Sequence, residues 1–266
     1  MIALTIIHHI QISRPNMTIK KWNKRKIFRT VWFVMVIIFF IWNLSTFQSR
    51  NLPDNTFSNS NLVSVIETDD EIKFQSKISE HKPEIIFFQG GLTDPKAYAP
   101  LCRKIAESGF TCHLIKMDWR LPVNDYKKAL KIVENQEGNF VIGGHSQGGK
   151  MAAQLVYENP LLFKGLFLMG TSHPRDIDLS TQNIPCIKLY AENDGLASIN
   201  EVMTNKSKLP MDTKLVMIQG GNHSQFGYLG KLFMDSSATI SLEKQQDFTY
   251  IALMEFVKDI NNSLFP

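Results

Sequence analysis

A chain of 266 residues, 44% hydrophobic and 20% charged, is long enough to bury one sizeable core and shows no fibrous or disordered bias. Its formal charge of +4 is concentrated: residues 1–29 hold seven Lys or Arg and no acid, while the rest has 22 basic against 25 acidic residues, so nucleic acid is not an expected partner. Cys102, Cys112 and Cys186 are too few and too scattered for a disulfide framework or a zinc site, and read as small buried hydrophobes, with one bridge as the alternative.

Residues 1–29 form a basic segment (Arg14, Lys20, Lys21, Lys24, Arg25, Lys26, Arg29) expected on the cytoplasmic side. Ile2 to Ile7 is apolar without an evident role, and Met17 is an alternative start. From Thr30 to Phe47 there is no charge, and Val31 to Trp42 is wholly apolar. That run approaches the ~20 residues a membrane-spanning helix needs. A cleavable signal would have a shorter apolar region and a small-x-small site, which Asn43 to Phe47 lacks, so residues 30–47 are expected to be an uncleaved transmembrane anchor. Positive charge on its N-terminal side predicts a single-pass protein of the cell membrane with the remainder extracytoplasmic. A buried core helix is the alternative, and the dense basic flank argues against it.

Residues 48–61, rich in Asn and Ser, read as a linker to a domain spanning 62–266. Leu62 to Glu67 and Ile72 to Ile78, separated by Thr68-Asp69-Asp70-Glu71, predict a hairpin at the antiparallel edge of a sheet. The pattern then alternates. Ile85 to Phe88 is a buried strand ending at Gly90-Gly91; Asp94-Pro95 opens a helix with Leu101, Cys102 and Ile105 on one face, closed by Gly109. A strand Thr111 to Met117 follows, then a helix with Tyr126, Ala129, Leu130 and Val133 at helical spacing, and a strand Phe140 to Gly143. Further strands are expected at Gly165 to Met169, Cys186 to Tyr190 and Lys214 to Ile218, before a last helix carrying Leu253, Phe256, Val257 and Ile260. This succession implies an α/β fold: a mostly parallel sheet with helices on both faces and its chemistry at the carboxyl ends of the strands.

One stretch carries that chemistry. Val141 to Gly149 reads as a strand running into Gly144-His145-Ser146-Gln147-Gly148 and then a helix, the signature of a nucleophile elbow. Glycines two residues either side meet a steric demand of the tight turn, and the Gln147 amide at the helix start can donate to an oxyanion. Asp194, just past one strand, and His223, past the next, supply an acid and a base in the order Ser, Asp, His that distinguishes α/β-hydrolases from other triad proteins. Glu192 competes as the acid but lacks the following glycine. The second oxyanion donor belongs on the loop after the first core strand: the Leu92 amide, with Gly91 as the alternative. His145 occupies the variable elbow position and is expected to point away from the nucleophile. His173 is expected at the pocket wall, though it precedes the acid, and His113 is expected to be structural. Trp119, Arg120, Phe226 and Tyr228 read as pocket wall or as packing. No His or Cys pair has zinc-ligand spacing, so neither metal nor cofactor is expected.

Gly90 to Leu101, the Gly-His-Ser-Gln-Gly elbow and Gly220-Gly221-Asn222-His223-Ser224-Gln225-Phe226-Gly227 together resemble a bacterial α/β-hydrolase family related to the dienelactone hydrolases. The likeness covers most of residues 62–262. Dienelactone hydrolases proper use cysteine where this chain has Ser146, so their substrate is not carried over. The resemblance implies a compact hydrolase with little or no lid, in keeping with the short segment 171–185. The expected activity is hydrolysis of a small-molecule carboxylic ester or thioester through Ser146, His223 and Asp194. An acyltransferase with the same triad and a non-catalytic binding protein on the same fold are the alternatives.

Overall fold

The computed structural model describes residues 23–78, 83–134, 139–172 and 176–265. The expectations for Arg14, Met17, Lys20, Lys21 and His173 fall outside them. The chain divides into two compact units, residues 1–41 and 42–266. Helix α1 (Lys24–Thr46) carries the uncharged run, together with Lys24, Arg25, Lys26 and Arg29 in its first two turns. It is long and apolar enough to cross a membrane, and none of its apolar window is buried.

The second unit starts some twenty residues earlier than the expected boundary at 62. Residues 48–61 do not behave as a free linker: Thr56 is buried, and the Arg103 guanidinium donates to Ser58 O at 2.6 Å and Thr56 O at 3.4 Å. Side-chain polarity had suggested a solvated tether, but the backbone carbonyls of this segment are what the domain uses.

An eight-stranded sheet runs in the order β1-β2-β4-β3-β5-β6-β7-β8. The expected hairpin forms its antiparallel edge: β1 (Val63–Glu67) pairs with β2 (Glu71–Ser76), which is antiparallel to β4 (Cys112–Ile115). The other strands, β3 (Glu84–Phe88), β5 (Phe140–His145), β6 (Gly165–Met169), β7 (Cys186–Ala191) and β8 (Lys214–Ile218), join β4 in parallel. Strands covered on both faces need apolar residues at every position, and β3 shows why: Ile85 and Phe87 pack with α2 (Ala99–Glu107) and α7 (Leu242–Leu264), while Ile86 and Phe88 pack with α5 (Gln147–Glu158). The three cysteines are buried and unbridged.

The helix expected around Tyr126 to Val133 is broken into α3 (Pro122–Asp125), a 3₁₀ turn (Tyr126–Ala129) and α4 (Leu130–Glu134). Asp125 interrupts it: the carboxylate accepts from Asp118 N at 3.1 Å and pairs with Lys128 at 2.9 Å, and its backbone sits at φ −138°, off the helical region. Ala129 and Val133 are nonetheless buried, so the apolar spacing marks the buried face correctly. A further short helix, α6 (Ile199–Thr204), follows β7 and opens on a capping box between Ser198 and Glu201.

On β4, fully buried His113 bridges the neighbouring strands, with Nδ1 2.6 Å from Glu71 and Nε2 2.5 Å from Glu84. Burial opposes the imidazolium, but the two carboxylates outweigh it and hold its pKa above the ordinary 6.5. Burial likewise opposes the Glu84 carboxylate, and the bond to His113 outweighs it, lowering its pKa. A raised folded-state value stabilises fully below about 6.5 and is lost as pH rises through that value. Denaturant midpoints should therefore fall from pH 6 toward pH 9. His113→Gln should cost ~1–3 kcal/mol at pH 6 and less at pH 9; a pH-independent cost would refute the charged bridge.

Candidate active site

Ser146 sits at the turn between β5 and α5 with φ 51° and ψ −119°, a positive φ that a non-glycine residue adopts only under local constraint. The turn is tight enough to need its glycines. A Cβ on Gly144 would lie 2.3 Å from Phe88 O, and one on Gly148 would lie 2.2 Å from Gln89 O. Both obstacles are backbone and cannot swing aside. The Ser146 amide donates to Met169 O at 2.9 Å, which fastens the turn to the end of β6. Gln147 is the first residue of the twelve-residue α5, so its amide is among those with no acceptor one turn back.

Asp194 lies three residues past β7 and His223 five past β8, both buried. His223 Nδ1 is 2.9 Å from Asp194 Oδ2 and 3.0 Å from Oδ1. Asp194 Oδ1 also accepts the amides of Leu196 at 2.8 Å and Ala197 at 2.6 Å, so the carboxylate is held in place before it meets the imidazole. Glu192, the competing acid, turns elsewhere and accepts from Gly220 N at 2.7 Å.

Ser146 and His223 line one pocket of 280 Å³ together with Gly90, Gly91, His145, Gln147, Leu196, Leu232 and Phe233, among others. The expected second oxyanion donor is corrected here. The Leu92 amide donates to Arg120 O at 2.6 Å, and Leu92 does not line the pocket. Gly91, whose backbone packs against the Gln147 side chain, does line it. A donor already engaged by a carbonyl is not free for an oxyanion, and of the two donors weighed from sequence only Gly91 lines the pocket.

His145 makes its contacts with Tyr98, His223 and Phe226. It is fully buried, with Nδ1 2.8 Å from the Tyr98 hydroxyl and its ring 4.5 Å from the ring of His223. Burial, and then the neighbouring His223, push its pKa well below the ordinary value, which keeps this imidazole neutral beside the other. Of the described residues suggested for its wall, Trp119, Arg120, Phe226 and Tyr228 do not line this pocket: Phe226 packs on His145, Trp119 is 88% exposed, and the Arg120 guanidinium donates to Gln48 at 3.1 Å.

Sequence reasoning missed Asp235. Its buried carboxylate accepts His223 N at 3.3 Å and Gly195 N at 3.1 Å through Oδ1, and Ser224 N at 2.8 Å and Ser224 Oγ at 2.5 Å through Oδ2. It ties the loop of the histidine to the loop of the aspartate. Lying in an irregular segment with no apolar period, it left no local signal. Asn43 and Phe47, which also line the pocket, were missed because they belong to the uncharged run.

A parallel sheet with an antiparallel edge, helices on both faces and a strained serine between β5 and α5 defines the α/β-hydrolase architecture. The chain belongs to the alpha/beta hydrolase family, whose model matches residues 84–247. No curated protein matches it significantly. Among solved structures it is similar to Est1E from Butyrivibrio proteoclasticus, at 12% identity and TM-score 0.53, covering 74% of this chain and 99% of that one. An alpha-beta serine hydrolase homologue from Coxiella burnetii gives 15% identity and TM-score 0.52 over 74% and 99%. Mouse alpha/beta hydrolase domain-containing protein 10 gives 11% and 0.53 over the same shares. At these identities the likeness is one of fold.

Proposed function

We infer that this enzyme is a membrane-anchored serine hydrolase cleaving a carboxylic ester or thioester. The observation carrying the reading is that Ser146, at its positive φ, shares a pocket with a His223 whose Nδ1 is held by Asp194. His223 Nε2 takes the Ser146 hydroxyl proton as Oγ attacks the acyl carbon. The amides of Gln147 and Gly91 receive the oxyanion. The tetrahedral intermediate collapses with the His223 proton passing to the departing alcohol or thiol, and water, deprotonated by the same imidazole, releases the acid and restores Ser146. Asp194 holds Nδ1–H and stabilises the imidazolium.

The anchor is α1. Its uncharged helical run, Thr30 to Thr46, spans ~25 Å at 1.5 Å per residue, close to the hydrocarbon thickness of a bilayer. Basic residues at its N-terminal end favour an extracytoplasmic domain.

A fluorophosphonate probe tests the catalytic part directly. Folded wild-type protein should form one adduct, at Ser146, and His223→Ala should label on the order of 10³-fold more slowly. Folded protein without an adduct would overturn the reading.

A further inference from the structure

We propose that the site takes its substrate from the membrane: a long-chain acyl ester lodged in the leaflet on the domain's side. This rests on the anchored-hydrolase reading and names its substrate class. The pocket that holds Ser146 and His223 is lined by Asn43 and Phe47. Those residues come from the last turn of α1 and the position just after it. Trp42, the residue type that settles at headgroup level, ends the apolar run one residue before Asn43. Chain continuity alone therefore brings the catalytic pocket to the end of the membrane-spanning stretch.

No tether lets the domain stand away from that point. Gly230 N donates to Thr46 O at 3.0 Å, Asp94 N to Phe47 O at 2.8 Å and Arg50 N to Tyr228 O at 2.8 Å, and Ser49 Oγ donates to Asp94 at 2.8 Å. Thr46 is buried. Residues 46–50 are thus fixed to the loops carrying the oxyanion glycines and the histidine.

An independent observation is a pair of exposed apolar side chains on left-handed backbone. Apart from Asn51 and Ser146, the non-glycine residues with positive φ among those described are Leu92, Trp119, Arg120 and Met234. Leu92 follows the oxyanion glycine, and Arg120 receives its amide. Met234 follows Phe233 of the pocket wall. Trp119 is 88% and Met234 71% exposed. Leaving the Trp119 and Met234 side chains in water is costly in hydration unless an apolar phase covers them. The adjoining bilayer supplies that phase. At 280 Å³ the pocket admits an ester group and a short length of chain, so the rest of a lipid stays in the leaflet while its carbonyl reaches Ser146.

The test uses the full chain in phosphatidylcholine vesicles, with 1,2-dioleoylglycerol either in the same vesicles or in a separate population, and p-nitrophenyl butyrate as a soluble ester for both. Diacylglycerol in the same bilayer should be cleaved at least about ten-fold faster than in separate vesicles, because sharing a membrane raises effective concentration. The butyrate should be cleaved alike in both. Trp119→Ser and Met234→Ser should each lower the diacylglycerol-to-butyrate rate ratio about five-fold. Equal rates in the two arrangements, an unchanged ratio in both variants, or intact diacylglycerol beside hydrolysed butyrate would overturn the inference and leave the hydrolase reading in place. Neither ester cleaved and no fluorophosphonate adduct would remove both.

Discussion

Ser146→Ala is expected to lower hydrolysis of p-nitrophenyl butyrate by on the order of 10⁴-fold or more, leaving only what the oxyanion amides and binding provide. On the proposed mechanism the loss falls on kcat, since the hydroxyl would form the acyl bond and alanine leaves the pocket walls intact. Alanine keeps the Cβ that the turn already accommodates, and the glycines that relieve the steric conflict with Phe88 O and Gln89 O are untouched. The unfolding midpoint should accordingly stay within the equivalent of about 1 kcal/mol. Steady-state kinetics with a denaturation curve decide the matter: retained turnover would mean that Ser146 is not the nucleophile.

The second large effect is expected at Asp194. In Asp194→Asn the oxygen remains on the amides of Leu196 and Ala197, now 2.8 and 2.6 Å away, which turns the new NH₂ toward His223 Nδ1. A donor there demands an acceptor, so the imidazole carries its proton on Nε2, and an Nε2–H cannot take the Ser146 proton. The result should be a fall in kcat of roughly 10⁴-fold with KM little changed. Glu192→Gln, which removes a carboxylate that holds Gly220 N and faces away from the imidazole, should cost far less. Comparable losses in the two variants would return Glu192 to contention as the acid.

Much of this was legible in the sequence for local reasons. The elbow is a short-range steric motif, and Gly144 and Gly148 are required by carbonyls that any strand–turn–helix of this kind presents. The central strands β3 to β7 are buried almost throughout because both faces are covered, while β2 in the edge hairpin alternates because one of its faces is not. Asp194 and His223 follow strands whose order the topology makes parallel, so their loops emerge at one edge. What failed to show is long-range. The broken helix near Asp125 depends on an amide seven residues upstream, and the segment 48–61 is held through its carbonyls, which carry no side-chain signal.

By itself, then, the sequence determined the sheet, the elbow and the order of Ser146, Asp194 and His223, since steric demand and apolar periodicity act between neighbours along the chain. Only the tertiary structure decided that the Leu92 amide is spent on Arg120, leaving Gly91 in the pocket, that Asp235 clasps the His223 and Gly195 loops, and that Asn43 and Phe47 line the same pocket. Those choices are made by hydrogen bonds and contacts between segments far apart in sequence, and no local pattern encodes which distant carbonyl an amide will find.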